Sequence, residues 1–428
     1  MFDIHNGDCV EVMASMESNS VDAIVTDPPY GLAFMGAKWD SFNGGSGNQT
    51  ISERQSEGKR YADENKGAPR YANSHGKKVT QSEMVAFQLA MTPIFEEALR
   101  VAKPGAHLLC FGGTRTFHRM ACAIEDAGWE IRDTIMWVYG SGFPKSMDVS
   151  KAIDKHLGKK REKVPNPLAK QQTSYHTDVY SGQGDRVFKQ PIPATDAAAQ
   201  WDGWGTCLKP AWEPIIVARK PLNGTVANNV LTWGVGAMNI DACRVAIEQG
   251  DDVFAKNPHT HSKGKDSGIY GTYKEQQGNW SGAKGRFPAN LVHDGSQMVL
   301  DLFPDTGRSS GGGGVKAPGK NGIYGSYSGH EYPQQLGMGD SGSAARFFYC
   351  AKASKKERGE GNNHPTVKPI ALMKWLVTLV TPEGGVVLDP FAGSGTTLVA
   401  CKELGRSCIG IERESEYVEI IKRRLGEM

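Results

Sequence analysis

Gly385-Val386-Val387-Leu388-Asp389-Pro390-Phe391-Ala392-Gly393-Ser394-Gly395-Thr396-Thr397 is the stretch on which the fold turns. Val386 to Leu388 is a short apolar run with β-branched residues, as in a buried strand. Pro390 stops that strand, Gly393 and Gly395 make a tight turn, and Thr396 to Leu404 has helical spacing. Strand, glycine loop and helix in this order let a backbone approach a nucleotide-like ligand closely. The flanking elements alternate in the same way. A helix runs from Pro369 to Val380 with proline at its start, Ser407 to Ile411 reads as another strand, and Ser415 to Leu425 as a closing amphipathic helix.

Near the other end of the chain, Ser20 to Val25 reads as a short buried strand, and the two prolines of Thr26-Asp27-Pro28-Pro29-Tyr30-Gly31 forbid its continuation. A carboxylate, a proline-stiffened carbonyl and an aromatic face are thus held at a strand's carboxyl end, where open α/β sheets place their ligands. Taken alone, the same residues also fit plain turn punctuation with a solvated Asp27. Phe2 to His5 is a further strand, and Asn6-Gly7-Asp8 turns into a helix ending near Met16. Ser82 to Val101 is helical, with Ser82 as its cap and Pro104-Gly105 as its stop. His107 to Phe111 is a strand, Thr116 to Ala127 a helix, Trp129 to Tyr139 a strand, and Trp212 to Ala218 another. This alternation predicts an α/β fold with a parallel, doubly wound, Rossmann-like sheet. Its first and last strands share that sheet, which puts Tyr30 and Gly393 side by side at the carboxyl edge.

The 428 residues suffice for a large domain with insertions, and 39% hydrophobic residues suffice for its core, while 52 glycines announce long polar loops. Residues 31–80 are such a loop, either closing over Tyr30 or uninvolved. The predicted organisation is a catalytic half over 1–150, a basic polar insertion over 151–206, a core strand over 207–222, a small irregular target-recognition region over 223–361, and a cofactor-binding half over 362–428. In the insertion, Lys159, Lys160, Arg161 and Lys163 are a solvated face or phosphate contacts. In the irregular region, Gly268-Ile-Tyr270-Gly-Thr-Tyr273 recurs as Gly322-Ile-Tyr324-Gly-Ser-Tyr327, tyrosines suited to stacking on bases or to anchoring loops. A formal charge of +2 neither supports nor excludes a nucleic-acid partner. Eight cysteines without Cys-x-x-Cys pairs, among them Cys110, Cys350, Cys401 and Cys408 in apolar runs, suit a reducing cytoplasm. His259 and His261 have no partnering cysteines, so no metal is expected. There is no apolar leader and no run near the ~20 apolar residues of a membrane span, so no membrane partner is expected.

An NAD site competes for the glycine loop. Against it, Leu398 stands where a third glycine is needed, and Asp389, Ser394, Thr396 and Thr397 suit an amino acid's ammonium and carboxylate better than a pyrophosphate. Glu412, at the end of the next strand, lies about twenty residues on, where a ribose diol is usually held. Adenosine joined to an amino acid is S-adenosylmethionine.

Thr-Asp-Pro-Pro-Tyr early, His364-Pro-Thr-Val-Lys368-Pro late, then Leu-Asp-Pro-Phe-Ala-Gly-Ser-Gly-Thr-Thr and Gly-Ile-Glu412 resemble the amino-group DNA methyltransferases of the β arrangement, in which the catalytic motif precedes the cofactor motif. Gly142-Phe-Pro-Lys145 and Lys209-Pro-Ala-Trp-Glu-Pro214 are similar to methylases of phages and prophages. The resemblance implies a methyltransferase fold acting on double-stranded DNA, and it leaves a homodimer open. It implies that Asp27 and the Pro28 carbonyl, stiffened by Pro29, accept hydrogen bonds from the target amino group. Tyr30 would stack on a flipped base and, with Phe391, flank the sulfonium. Lys368 would lie near the methionine end of the cofactor, and Asp8 would contact its adenine unless it simply caps the following helix. Asp rather than Ser at position 27 tilts the target toward adenine. A cytosine amino group, an RNA, a protein glutamine and a non-catalytic DNA-binding relative are the alternatives.

Overall fold

The computed structural model describes residues 2–31, 81–142, 146–165, 189–246, 285–306, 342–351, 357, 361–364 and 366–426. The loop expected over 31–80, the two tyrosine repeats, and His259 and His261 lie outside the described residues, apart from Gly31. The chain divides into two units, a smaller one over 141–211 and a larger one drawn from the remainder.

The larger unit is built on β1 (Phe2–Asn6), α1 (Cys9–Ala14), β2 (Val21–Thr26), α2 (Gln81–Val101), β3 (Ala102–Phe111), α3 (Phe117–Asp126) and β4 (Glu130–Val138). It continues with β5 (Trp212–Arg219), α4 (Val226–Trp233), β6 (Leu291–His293), β7 (Tyr349–Cys350), α5 (Ile370–Val380), β8 (Val386–Asp389), α6 (Thr396–Glu403), β9 (Ser407–Glu412) and α7 (Ser415–Leu425). These nine strands form one sheet in the order β1-β9-β8-β2-β3-β5-β4-β6-β7. Every neighbouring pair is parallel except the two made by β5, which runs antiparallel to β3 and to β4. The sheet is therefore doubly wound and parallel-rich, with one reversed strand that the alternation of elements did not announce.

Side chains divide between its faces with the period of two that a pleated strand imposes. Leu109, Phe111, Ile215 and Val217 join Leu372, Leu376, Leu398 and Ile421 on one side. Leu108, Cys110, Ile216 and Ala218 join Phe87, Met91, Phe95, Met120 and Ile124 on the other. With both faces covered, the central strands are almost wholly apolar, as parallel sheets require. Asp22 is one of the exceptions. Its carboxylate takes Lys103 Nζ at 2.5 Å and the Val386 amide at 2.8 Å, which ties β2 to the start of β8.

One boundary differs from the sequence expectation, while the helix expected across Pro93 is present. Pro93 lies inside α2, which continues past it because Met91 and Phe95 are buried against the sheet. Pro104-Gly105 does not end that helix in a turn; the strand already begins at Ala102. The wholly buried Asn229 donates to the Pro104 carbonyl at 2.8 Å, and Gly105, at φ +80°, leaves room for that amide.

In the smaller unit, a helix over Val149–His156 is capped by Asp148, Lys163–Pro165 pairs antiparallel with Lys189–Pro191, and a short helix over Asp196–Gln200 is capped by Thr195. Asp154 is buried and accepts from Arg161 Nε at 2.7 Å, Thr195 Oγ1 at 2.8 Å and the Ala194 amide at 3.0 Å. Arg161 is thus an internal clamp rather than part of the basic surface, whereas Lys159, Lys160 and Lys163 are exposed. Among the described residues no helix is long and apolar enough to cross a membrane.

His107 sits in β3, buried, opposite Arg219 of β5. Burial first, then the charges of Arg219 and Arg132, push its imidazole from 6.5 down to about 4. Below pH 6.5 the unfolded chain takes up a proton that the folded chain refuses, so this residue destabilises the fold as pH falls toward 4 and is neutral above 6.5. The full effect is roughly 3 kcal/mol. Urea unfolding of His107→Leu between these pH values should lack this part of the acid dependence shown by the natural chain.

Candidate active site

The carboxyl ends of β2 and β8 are neighbours, and one buried carboxylate fastens them. Asp389 Oδ1 accepts from Thr26 Oγ1 at 2.7 Å and from the Phe391 amide at 3.2 Å, while Oδ2 accepts from Thr397 Oγ1 at 2.6 Å. Burial raises the Asp389 carboxyl to about 6, against the pull of the Thr397 and Thr26 hydroxyls and the Phe391 amide. Asp27 and the glycine loop consequently leave adjacent strands at the same edge of the sheet, as expected for Tyr30 and Gly393.

Beyond Thr26 the two prolines turn the chain so that Tyr30 Oη comes back to Asp27 Oδ1 at 2.8 Å. Lys368, ahead of α5, places its ammonium 3.0 Å from Asp27 Oδ2, 2.9 Å from Glu213 Oε2 and 3.1 Å from Tyr30 Oη. It lies 4.8 Å from the Phe111 ring centroid and 5.5 Å from that of Tyr30. Tyr139 donates to the other Glu213 oxygen at 3.3 Å. Burial lowers the pKa of a lone ammonium, yet Asp27 and Glu213 together carry that of Lys368 well above its ordinary value, so it stays charged. Burial, seconded by Glu213, raises the Asp27 carboxyl above its usual range in spite of Lys368. Burial and the two carboxylates keep Tyr30 a phenol, hence a hydrogen-bond donor.

The glycine loop is held from three directions. Gly393 (φ +55°) donates its amide to Glu412 Oε2 at 2.8 Å, and the Glu414 amide takes Oε1 at 2.8 Å. Arg424 of α7 reaches the Ser394 carbonyl at 2.6 Å and the Ser394 and Thr396 hydroxyls at 3.2 Å each. His364 lies over Gly393, with Nε2 2.9 Å from where a Cβ would stand, and packs edge-on against Tyr417 at 4.6 Å. Ser394, Thr396 and Thr397 are buried, the first two with their hydroxyls at Arg424 and the third with its hydroxyl on Asp389. Phe391 and Gly393 remain partly exposed, Glu412 ends β9, and Asp8 follows the neighbouring strand β1. Asp8 caps α1 by accepting the Val10 amide at 2.9 Å, the capping role weighed for it in sequence.

A family model described as DNA methylase, N6_N4_Mtase, matches residues 21–423. The chain belongs to this family of DNA methylases. Its methyl donor is S-adenosylmethionine. The methylase is 25% identical over 426 residues to the Type II methyltransferase M.HindIII of Haemophilus influenzae, covering 99% of this chain and 94% of that one. It is 47% identical over 77 residues to the Type II methyltransferase M.HpaI of Haemophilus parainfluenzae, covering 18% of this chain and 22% of that one. Among solved structures it is similar to the cytosine-N4-specific PvuII DNA methyltransferase, with a TM-score of 0.41, 11% identity, and coverage of 99% of this chain and 86% of that one.

The candidate site also holds residues to which the sequence reading gave no role: Glu213 and His364, quoted there only within motifs, and Tyr139, Phe111 and Arg424. Glu213 was hidden by strand direction. Only because β5 runs backwards does its amino end, rather than its carboxyl end, arrive beside Asp27. Arg424 looked like one of several cations in the last turn of an amphipathic helix.

Gly395 (φ +78°) opens α6, and a Cβ there would stand 2.9 Å from Ile421 Cγ1. Gly395→Val must combine a strained backbone with displacement of α7, at a cost of about 1–3 kcal/mol. Calorimetry should show at least a tenfold loss of S-adenosylmethionine affinity, with a lowered thermal midpoint.

Proposed function

We propose that the methylase transfers a methyl group to the exocyclic N6 of an adenine flipped out of double-stranded DNA, with Asp27 and the Pro28 carbonyl as acceptors for the amino group. The observation that carries this reading is the Thr26–Asp389 hydrogen bond, which sets the Asp-Pro-Pro-Tyr turn beside the glycine loop. The residues present fit the cofactor. Gly393 and Gly395 hold the loop in left-handed backbone that a side chain would strain, Glu412 retains lone pairs for a ribose diol while it holds the loop, and Phe391 offers an aromatic face to a cation.

When bound, S-adenosylmethionine supplies a sulfonium methyl whose C–S bond breaks with its electron pair left on sulfur. Asp27 and the Pro28 carbonyl accept the two N–H bonds of the target amine, which favours a pyramidal nitrogen and frees its lone pair from the ring. That pair forms the new N–C bond, and the nitrogen then gives up one proton to the Asp27 carboxylate that already accepts its N–H, from which it passes to water. Pro28 and Pro29 fix the carbonyl's direction, so the acceptors are oriented before the base arrives. Tyr30 offers its ring to the base while its hydroxyl stays on Asp27.

Asp at position 27 favours adenine over cytosine. Unmethylated bacterial DNA treated with the methylase and digested to nucleosides should yield N6-methyladenine by mass spectrometry. N4-methylcytosine in its place would overturn the choice of base. Asp27→Ala should lower transfer by at least a hundredfold with cofactor affinity changed less than about threefold. Full activity in that variant would remove Asp27 from the chemistry.

A further inference from the structure

Lys368 has three N–H bonds and meets three oxygens, those of Glu213, Asp27 and Tyr30, at 2.9, 3.0 and 3.1 Å. The ammonium is buried, and each of its donors is matched. An Asp27–Lys368 pair alone would carry no net charge. Glu213 makes the group singly negative, one cation between two carboxylates. Its own position is firm: Pro214 follows it, and the Pro214 carbonyl takes the Gly112 amide at 2.9 Å.

We propose that Glu213 is a positioning residue for methyl transfer, sharing the Lys368 ammonium so that Asp27 presents a fixed and still negative acceptor to the target amino group. This rests on the reading of Asp27 as the acceptor. As the amine nitrogen attacks, positive charge develops on it. A preorganised negative site stabilises that charge, whereas a carboxylate fully neutralised by its own lysine does so weakly. Without Glu213, Lys368 would turn its whole charge on Asp27 and compete with the amine for the same oxygens.

The groups facing Asp27 are Lys368, Glu213 from β5, Tyr30 on its own turn, and Cys110 and Asp389 from the adjacent strands β3 and β8. Tyr139 reaches it only through Glu213. Removing the Glu213 charge takes a like charge from Asp27, so its carboxyl ionises at lower pH. Removing the Lys368 charge leaves two carboxylates face to face, so Asp27 ionises at higher pH.

Single-turnover transfer from methyl-tritiated S-adenosylmethionine to unmethylated bacterial genomic DNA, followed from about pH 5.5 to about pH 9, reads both effects. In Glu213→Gln, which keeps shape and an acceptor for Lys368, the plateau rate should fall about tenfold and the acid limb should move to lower pH. Cofactor affinity should stay within about threefold. In Lys368→Gln the acid limb should move to higher pH. A Glu213→Gln enzyme with the natural plateau and limb overturns the proposal, and so does a lowered plateau with an unmoved limb. Should Glu213→Gln fold poorly, an acid limb in Lys368→Gln that fails to rise overturns it equally. An active Asp27→Ala control would instead bring down the assignment of Asp27 itself.

Discussion

The Asp389 carboxylate, with Thr26 on one oxygen and Thr397 on the other, is the contact on which the site depends. It joins residues 363 positions apart in sequence. It also decides where the Asp-Pro-Pro-Tyr turn stands relative to the glycine loop. A buried carboxylate is tolerable only if hydrogen bonds replace its lost water, and three donors do so here. Loss of one partner from such a group costs about 1–3 kcal/mol. The staple therefore persists because its parts are worse off apart, and adjacency of the two loops comes with it. Asp22 repeats the device at the amino ends of the same strands, through Lys103 and the Val386 amide.

What could be read in the sequence was whatever local period and punctuation encode. Val21 to Thr26, Val386 to Asp389 and the glycine turn between β8 and α6 declare themselves through branched apolar residues, prolines and glycines, and the structure keeps all three. What could not be read depends on strand direction or on which way a side chain turns. Nothing in Trp212 to Arg219 says that the strand is reversed, since an apolar run reads alike in either direction. Nor does Ser394-Gly395-Thr396-Thr397 reveal that its hydroxyls turn inward, because their partners, Arg424 and Asp389, lie on other elements. Lys368 shows the same limit. Its motif marks it as functional, but its engagement with Asp27 and Glu213 appears only once β2, β5 and the segment before α5 are brought together.

The reversed strand has a chemical consequence. In a wholly parallel sheet only carboxyl ends reach the ligand edge. Because β5 runs against β3 and β4, it delivers its first residues there, and Glu213 becomes a second carboxylate beside Asp27. Sheet topology thereby adds a charge to the site without lengthening any loop.

That charge bears on how a nearly neutral chain, at a formal +2, meets a polyanion. Asp27, Glu213, Asp389 and Glu412 gather at one edge, with Lys368 set between the first two. Such a site repels phosphate and attracts cations. It suits a sulfonium donor and an uncharged base, and it disfavours the sugar-phosphate backbone that carries the base. Affinity for DNA must then come from cations elsewhere on the surface, and the proposed reading, in which the base is turned out of the duplex, keeps the phosphates away from these carboxylates. The separation has a physical cause: charges arranged to stabilise a developing cation cannot also bind phosphate.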